Sequence, residues 1–246
     1  MNKIVATVEA RMTSSRLPGK PLLKVLEKTM IEHLLLRLKS VPSIDTIVLA
    51  TTTNHTDDVL VKEAENLGVK VFRGDENDVM QRVIDASESV EASTIVEITG
   101  DCPIIDPQIV EQCIRMFKYN NADYVSNVIP RSYPDGMDTQ IFSLKTLKKS
   151  ASMTKNIIDR EHVSLHIRKN PKIFNQIHLV APPELHWPSL GLTLDEIGDY
   201  ELIKLLIEKL NKKNFCFSCL DVVNFLKKNT EFLNLNKNVV RKKIFE

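Results

Sequence analysis

Glycine and cysteine are scarce in this chain: 246 residues contain 7 glycines and 4 cysteines. So little glycine, beside 11 prolines, excludes a low-complexity or disordered chain. Cys216-Phe-Ser-Cys219 has zinc-ligand spacing, but no second cysteine pair or histidine pair accompanies it. That pair therefore reads as buried apolar thiols. Neither sign of charge is in excess, with 33 Lys+Arg against 32 Asp+Glu. No global basic field exists to hold DNA or RNA, so any phosphate-binding charge must be local. No apolar run reaches the roughly 18 residues needed to span a bilayer. The N-terminus, Met1 to Ala6, passes directly into a strand-like stretch without the apolar segment and cleavage site of a signal peptide. The expectation is a soluble, cytoplasmic protein with no membrane partner.

What is present is a 43% apolar composition, enough for a sizeable core in one large α/β domain over 1–246. Ile4 to Glu9, Thr46 to Thr51, Val69 to Phe72 and Thr94 to Ile98 read as strands. Between and after them, Met30 to Lys39, Asp57 to Leu67, Val79 to Ser89 and Pro107 to Tyr119 repeat apolar residues at helical spacing. This alternation predicts a mostly parallel, Rossmann-like mixed sheet in a three-layer α/β sandwich. Ligands of such sheets collect at the carboxyl ends of the strands. After residue 130 the pattern changes. Tyr124 to Val128 and Met137 to Phe142 read as strands, then Leu144 to Met153 and Ile157 to Arg168 as helices. Strands follow near Ile173 to Val180 and Gly191 to Leu194, and the tail from Leu202 is mainly helical. The Lys and Arg residues of that tail, Arg241, Lys242 and Lys243, read as a solvated face.

The strongest chemical signal leaves the first strand: Ala10-Arg11-Met12-Thr13-Ser14-Ser15-Arg16-Leu17-Pro18-Gly19-Lys20-Pro21. Arg11, Arg16 and Lys20 offer charged donors, Ser14 and Ser15 hydroxyls, and the loop around Gly19 backbone N–H groups. A triphosphate carries roughly four negative charges, so cations converging on one loop are what its binding requires. The spacing is neither that of a Walker P-loop nor GxGxxG.

A second element, Thr99-Gly100-Asp101-Cys102-Pro103, follows the fourth strand. Asp101 there could share Mg²⁺ with phosphates, or the Gly-Asp could be only a turn. Asp195, in Leu192-Thr-Leu-Asp-Glu-Ile-Gly-Asp199, could join it or cap the following helix; Asp199 reads as a cap. Thr51, Thr52, Thr53 and Asn54 can donate and accept hydrogen bonds near a base, while Arg73 and Arg82 could reach the base or triphosphate. Asp78 is a helix cap or a ligand. Arg131, Tyr133, Asp135 and Asp138 cluster around a turn, and Arg160, Glu161 and His162 share a helical run.

The run A-R-M-x-S-[ST]-R-L-P-G-K resembles the signature of the cytidylyltransferases that activate acidic sugars, such as CMP-Kdo and CMP-sialic acid synthetases, and most of all their SpsF-like branch. The resemblance continues in order through Ala50 to Asn54, Phe72-Arg-Gly74, Asp78 to Arg82, Ile98 to Pro103, Tyr124 to Asn127, Pro130 to Gly136, Arg160-Glu-His162 and Thr193-Leu-Asp195. One departure is Ile197, where the family's usual V-D-x-P-x-D form carries proline. The resemblance implies a fold of the nucleotide-diphospho-sugar transferase type. It implies Mg²⁺ on Asp101 and Asp195, and nucleotide binding by Ala10, Arg11, Ser14, Arg16, Lys20, Thr51, Thr52, Thr53, Arg73 and Arg82. Arg131, Tyr133, Asp138, Glu161 and His162 are then the acceptor side, and 131–190 an acceptor-binding or dimerisation subregion of a homodimer.

The expected reaction is in-line attack by an oxygen of a small anionic acceptor on the α-phosphorus of CTP, or of another nucleoside triphosphate, with Arg11, Lys20 and Asp101 as catalytic residues. Two alternatives stand beside it. A nucleotide-sugar-dependent glycosyltransferase shares the architecture, but its D-x-D motif is absent and it needs no triphosphate loop. A non-catalytic nucleotide-binding protein would not need both the cations and the acids.

Overall fold

The computed structural model describes residues 3–212 and 215–241. The first half alternates as the hydrophobic spacing requires: β1 (Ile4–Glu9), the two-residue strands β2 (Lys24–Val25) and β3 (Lys28–Thr29), α1 (Met30–Lys39), β4 (Thr46–Thr52), α2 (Asp58–Asn66), β5 (Lys70–Gly74), α3 (Val79–Glu88), β6 (Thr94–Thr99) and α4 (Pro107–Tyr119). Then come β7 (Tyr124–Ser126), β8 (Gln140–Ser143), α5 (Leu144–Met153), α6 (Ile157–Glu161), α7 (Leu165–Lys169), β9 (Gln176–His178), α8 (Ile197–Leu210) and α9 (Cys219–Lys228). Short 3-10 helices lie at Lys20–Leu22, His55–Asp57 and Thr230–Leu235.

Seven strands form one sheet in the order β5-β4-β1-β6-β8-β7-β9, and β8 alone runs against the rest. The expected mostly parallel mixed sheet is present. Alternate residues of β1 supply opposite faces. Ile4, Ala6 and Val8 enter the large core with α1, α2, α4, α8 and α9, while Val5 faces α3. A second cluster joins α3 to α5, α7, β7 and β8 through Met80, Val83, Tyr124, Phe142, Leu147 and Ile167. Helix starts follow local chemistry: Thr29 accepts from the Glu32 amide at 3.2 Å, Asp78 from Gln81 at 2.9 Å and Asp106 from Gln108 at 2.8 Å.

The chain winds from β1 outward to β4 and β5, then returns to place β6 on the other side of β1. The crevice at this reversal opens between the loops after β1 and β6, where an α/β sheet binds its ligands.

The second half departs from its expected outline. The helix expected over Ile157 to Arg168 is two short helices, because Val163 takes a left-handed φ of 37° between them. The strand expected at Gly191 to Leu194 is only a bridge from Asp135 to Gly191, and β9 keeps three residues of the longer run expected there. Of the paired thiols, Cys219 is buried, but Cys216 is only half-buried near the Ser40 hydroxyl.

The sheet face beneath α3 also encloses acids. Thr7 Oγ1, both carboxyl oxygens of Glu9 and Glu97 Oε2 are enclosed without a hydrogen-bond partner. Burial, reinforced by the charge of Asp101, pushes Glu9 up from 4.5 to about 8 against the attraction of Arg82. Burial and the neighbouring Glu9 raise Glu97 as well. A carboxyl raised in the folded state stabilises most below its unfolded pKa and loses that contribution as pH rises towards the folded value. Stability should therefore fall between pH 4.5 and about 8 on account of Glu9. Relative to the unsubstituted protein, Glu9→Gln should gain on the order of 2 kcal/mol between about pH 5 and about pH 8. Urea unfolding at the two pH values measures this, and parallel pH profiles would refute it.

Candidate active site

The loop after β1 folds on itself through the Gly19 amide, which donates to the Met12 carbonyl at 3.0 Å, and ends in the 3-10 turn at Lys20–Leu22. This aims Lys20 across the crevice. Its ammonium donates to the Leu194 carbonyl at 2.6 Å and lies 3.2 Å from Asp195 Oδ1 and 3.4 Å from Asp101 Oδ2. Arg16 reaches the same Asp195 oxygen at 2.8 Å and Glu196 at 3.7 Å. Arg11 turns the other way and, with the Thr13 hydroxyl, holds Glu76 at 2.7 and 2.9 Å. Ser14 is half-buried on the same loop, and Ala10 is buried at its root.

Asp101 arrives from the end of β6. The Gly100 amide donates to the Glu9 carbonyl at 2.9 Å, and a Cβ there would lie 2.7 Å from both Ala10 Cβ and that carbonyl oxygen. Only glycine lets the two loops approach so closely. The Thr99 hydroxyl orients Asp101 at 2.6 Å, and the Leu194 amide donates to the Asp101 carbonyl at 2.8 Å, tying the 191–195 segment to this loop. Burial alone would push the Asp195 carboxyl up, but Lys20, Arg16 and Arg241 together hold it below the usual carboxylate range. Asp195 does not cap α8: Glu196 is the N-cap and Asp199 closes a capping box from the first turn.

Beside the crevice, Arg131 grips Asp138 through both nitrogens at 2.9 and 2.7 Å and meets Asp135 at 3.2 Å. Burial and the adjacent Asp138 raise Asp135 to about 6, against the attraction of Arg131 and Arg241. A hollow of about 730 Å³ lies elsewhere, between α3 and α5 around Asp78, Lys148 and Arg160. The crevice itself is closed by its own ion pairs. Among the described residues no three metal-ligating side chains come together, so a cation here would rest on two carboxylates.

A cytidylyltransferase family model matches residues 5–185. The chain belongs to the cytidylyltransferase family. It is 32% identical to the spore coat polysaccharide biosynthesis protein SpsF of Bacillus subtilis, over 87% of this chain and 90% of that protein. An uncharacterized protein of Methanocaldococcus jannaschii is 36% identical over 98% and 97%. The solved structure of a cytidylyltransferase from Leptospira borgpetersenii superposes with a TM-score of 0.88 at 32% identity, covering 98% of each chain. Membership in this family makes the chain a nucleotidyltransferase and decides against the glycosyltransferase and non-catalytic alternatives. Among its described residues no helix is long and apolar enough to cross a membrane.

Several expected ligands turn inward in this cytidylyltransferase. Arg82 is 3% exposed and donates to the carbonyls of Ala50 and Asp75 at 3.2 and 2.5 Å, so it braces β4 and the turn after β5 instead of facing the crevice. Arg73 is spent on the Thr52 and Asn54 carbonyls, both at 2.8 Å, and on Asp58. The hydroxyls of Thr51 and Thr52 are buried on Asp57, whereas Thr53 is exposed with its amide on the Gly74 carbonyl. Tyr133, expected on the acceptor side, is buried in the large core. Asp78 caps α3 and also pairs with Arg160 at 2.9 Å. Glu161 and His162 end α6, which packs on α3 and α7. Arg241, expected in solvent, bonds Thr193 and Asp199; Lys242 and Lys243 lie outside the described residues.

Asp57 is the residue the sequence reading missed. Fully buried, it accepts from the Met12 amide at 2.8 Å, the Thr51 hydroxyl at 2.9 Å, and the Thr52 amide and hydroxyl at 3.2 and 2.5 Å. It thereby anchors the loop after β1 to β4. The signal was one acid after a run of threonines, which a helix cap explains equally well. Asp57→Ala strands these buried donors and should cost about 3 kcal/mol, while Thr51→Val should cost about 1 kcal/mol. Urea unfolding of both variants tests the ranking; equal losses would remove Asp57 as the anchor.

Proposed function

We propose that this cytidylyltransferase transfers CMP from CTP to a small anionic acceptor, with Mg²⁺, releasing pyrophosphate. The observation that carries the reading is the ammonium of Lys20 lying between the carboxylates of Asp101 and Asp195 at the sheet's reversal point. Two hard oxygen donors that already accept a cation suit Mg²⁺, which takes its other ligands from phosphates and water. Asp101 and Asp195 would hold the ion, and when bound it would draw charge from the α-phosphate and lower the acceptor hydroxyl's pKa.

The chain's own part is positioning and neutralisation. Arg11, Arg16 and Lys20 would exchange their present carboxylate partners for the β- and γ-phosphates. The acceptor oxygen would then form its bond to the α-phosphorus in line with the departing pyrophosphate. Ala10 and Ser14 would line the nucleotide side, with Thr53 at the mouth of β4. Arg131 and Asp138 would meet the acceptor, Glu161 and His162 closing it from α6. The name of the Bacillus relative supports a role in the synthesis of a polysaccharide precursor. The 3-deoxy-manno-octulosonate cytidylyltransferase of Syntrophotalea carbinolica, 34% identical over 45% of this chain, supports an acidic sugar as acceptor.

We infer one domain over 1–246, acting in the cytoplasm as a homodimer through 131–190. The exposed apolar side chains Met153, Ile157 and Ile158 within that stretch support the dimer.

Titrating CTP, UTP, GTP and ATP calorimetrically, with Mg²⁺ and with EDTA, tests the donor. CTP should bind selectively and more tightly with Mg²⁺, and Asp101→Ala should abolish the Mg²⁺-dependent part; equal binding of all four would refute the reading. Lys20→Ala should lower kcat by about 100-fold, on the order of 3 kcal/mol of transition-state stabilisation. An unchanged kcat would remove Lys20 from the chemistry.

A further inference from the structure

The C-terminal segment returns to the crevice from outside the 5–185 stretch matched by the family model. After the 3-10 helix at Thr230–Leu235, Asn236 donates to the Gly191 carbonyl at 3.0 Å and to Asp199 Oδ1 at 2.9 Å. Arg241 donates to the Thr193 hydroxyl at 2.6 Å and to the same Asp199 oxygen at 2.7 Å, and lies 3.9 Å from Asp195 Oδ2. The Val240 carbonyl accepts from Arg16 at 3.1 Å.

Asp199 joins the two halves of this arrangement. Its side chain is 0% exposed. Oδ1 holds the C-terminal arm, while Oδ2 accepts the amides of Asp195 and Glu196 at 3.1 and 3.0 Å. A buried carboxylate holds its geometry only while its charge is compensated, and Arg241 is the cation that compensates it. We propose that Arg241 is a positioning residue of the active site, holding through Asp199 the backbone that carries Asp195.

The inference rests on the reading of Asp195 as a metal-linked acid, and it explains how Asp195 stays in place during turnover. Of the three cations around Asp195, Arg16 at 2.8 Å and Lys20 at 3.2 Å are those a triphosphate would draw away. Arg241 is held by Thr193 and Asp199, so it remains. Space for it comes from Gly191, where an added Cβ would overlap the Arg241 guanidinium. The backbone of Gly191 is not in the left-handed region, so alanine is admissible there on conformational grounds. Gly191→Ala therefore displaces the guanidinium while leaving the arginine in the chain.

The experiment compares Arg241→Ala, Arg241→Lys, Gly191→Ala and Asp195→Asn. It reads kcat and KM for CTP across a Mg²⁺ titration, calorimetric CTP binding with Mg²⁺ and with EDTA, and thermal unfolding. Arg241→Ala and Gly191→Ala should each lower kcat by about 10-fold or more and raise the Mg²⁺ concentration for half-maximal rate several-fold. Both should weaken CTP binding with Mg²⁺ but leave binding in EDTA within about two-fold. Arg241→Lys, which keeps the charge but loses the fork, should recover part of the rate. If Arg241→Ala does not fold, Gly191→Ala carries the test. A lowered Tm with unsubstituted kcat and Mg²⁺ dependence in Gly191→Ala overturns the inference and leaves Arg241 a purely structural residue. If Asp195→Asn is impaired while both arm variants behave as the unsubstituted protein, the inference alone falls. An Asp195→Asn variant with unchanged Mg²⁺ dependence overturns the metal reading of Asp195 and this inference with it.

Discussion

The ammonium of Lys20 joins three stretches of chain that are far apart in sequence: the loop after β1, the Asp101 loop after β6, and the segment ahead of α8. Two carboxylates facing one crevice repel each other, and the repulsion grows as their surroundings exclude water. A cation between them removes that penalty, so Lys20 holds the three stretches together. The crevice is filled by side chains paired with one another, and the lining of the hollow between α3 and α5 carries pairs of its own, Lys148 with Glu88 and Arg160 with Asp78.

Around this centre sits a set of buried polar residues that act on backbone. Asp57 binds the loop after β1 to β4, Arg82 binds β4 to the turn after β5, and Asp199 binds the Asp195 segment to the C-terminal arm. Each is enclosed; Asp57 and Arg82 spend their hydrogen bonds on backbone groups and hydroxyls, and Asp199 divides its own between the Asp195 and Glu196 amides and the side chains of Asn236 and Arg241. Preorganisation of this kind matters where catalysis is mostly positioning, because a loop held by three or four bonds need not be ordered again when substrate arrives. The glycine at position 100 serves the same end by letting β1 and β6 end in contact.

Family membership and the local geometry cover different parts of the chain. The matched stretch, 5–185, contains the cationic loop after β1 and Asp101, but Asp195, Asp199 and the arm with Arg241 lie beyond it. The crevice is thus built from both the part shared with the family model and the last quarter of the chain, which supplies Asp195, the buried Asp199 and the cation compensating it.

Local pattern made β1, β4, β6 and the helices α1, α3 and α4 legible, because the strands are short apolar runs buried on both faces and each helix buries one face against the sheet. The cationic loop and Asp101 were legible for a related reason, since their residue types are unusual at strand ends. The second half was harder to read: α6 and α7 are each one turn or so, broken at Val163, and the bridge at Gly191 depends on Asp135 across space. Sequence alone determined which residues could carry phosphate and metal chemistry, because charge and hydroxyl content belong to the residue itself. Only the tertiary structure decided which of them face the crevice. Arg82, Arg73, Thr51 and Thr52 have suitable groups but spend them on neighbouring backbone or on Asp57, while Arg241, unremarkable in a lysine-rich tail, is carried back to Asp199. Which hydrogen bonds a side chain makes depends on what the fold brings beside it, and that is set by contacts between segments distant along the chain.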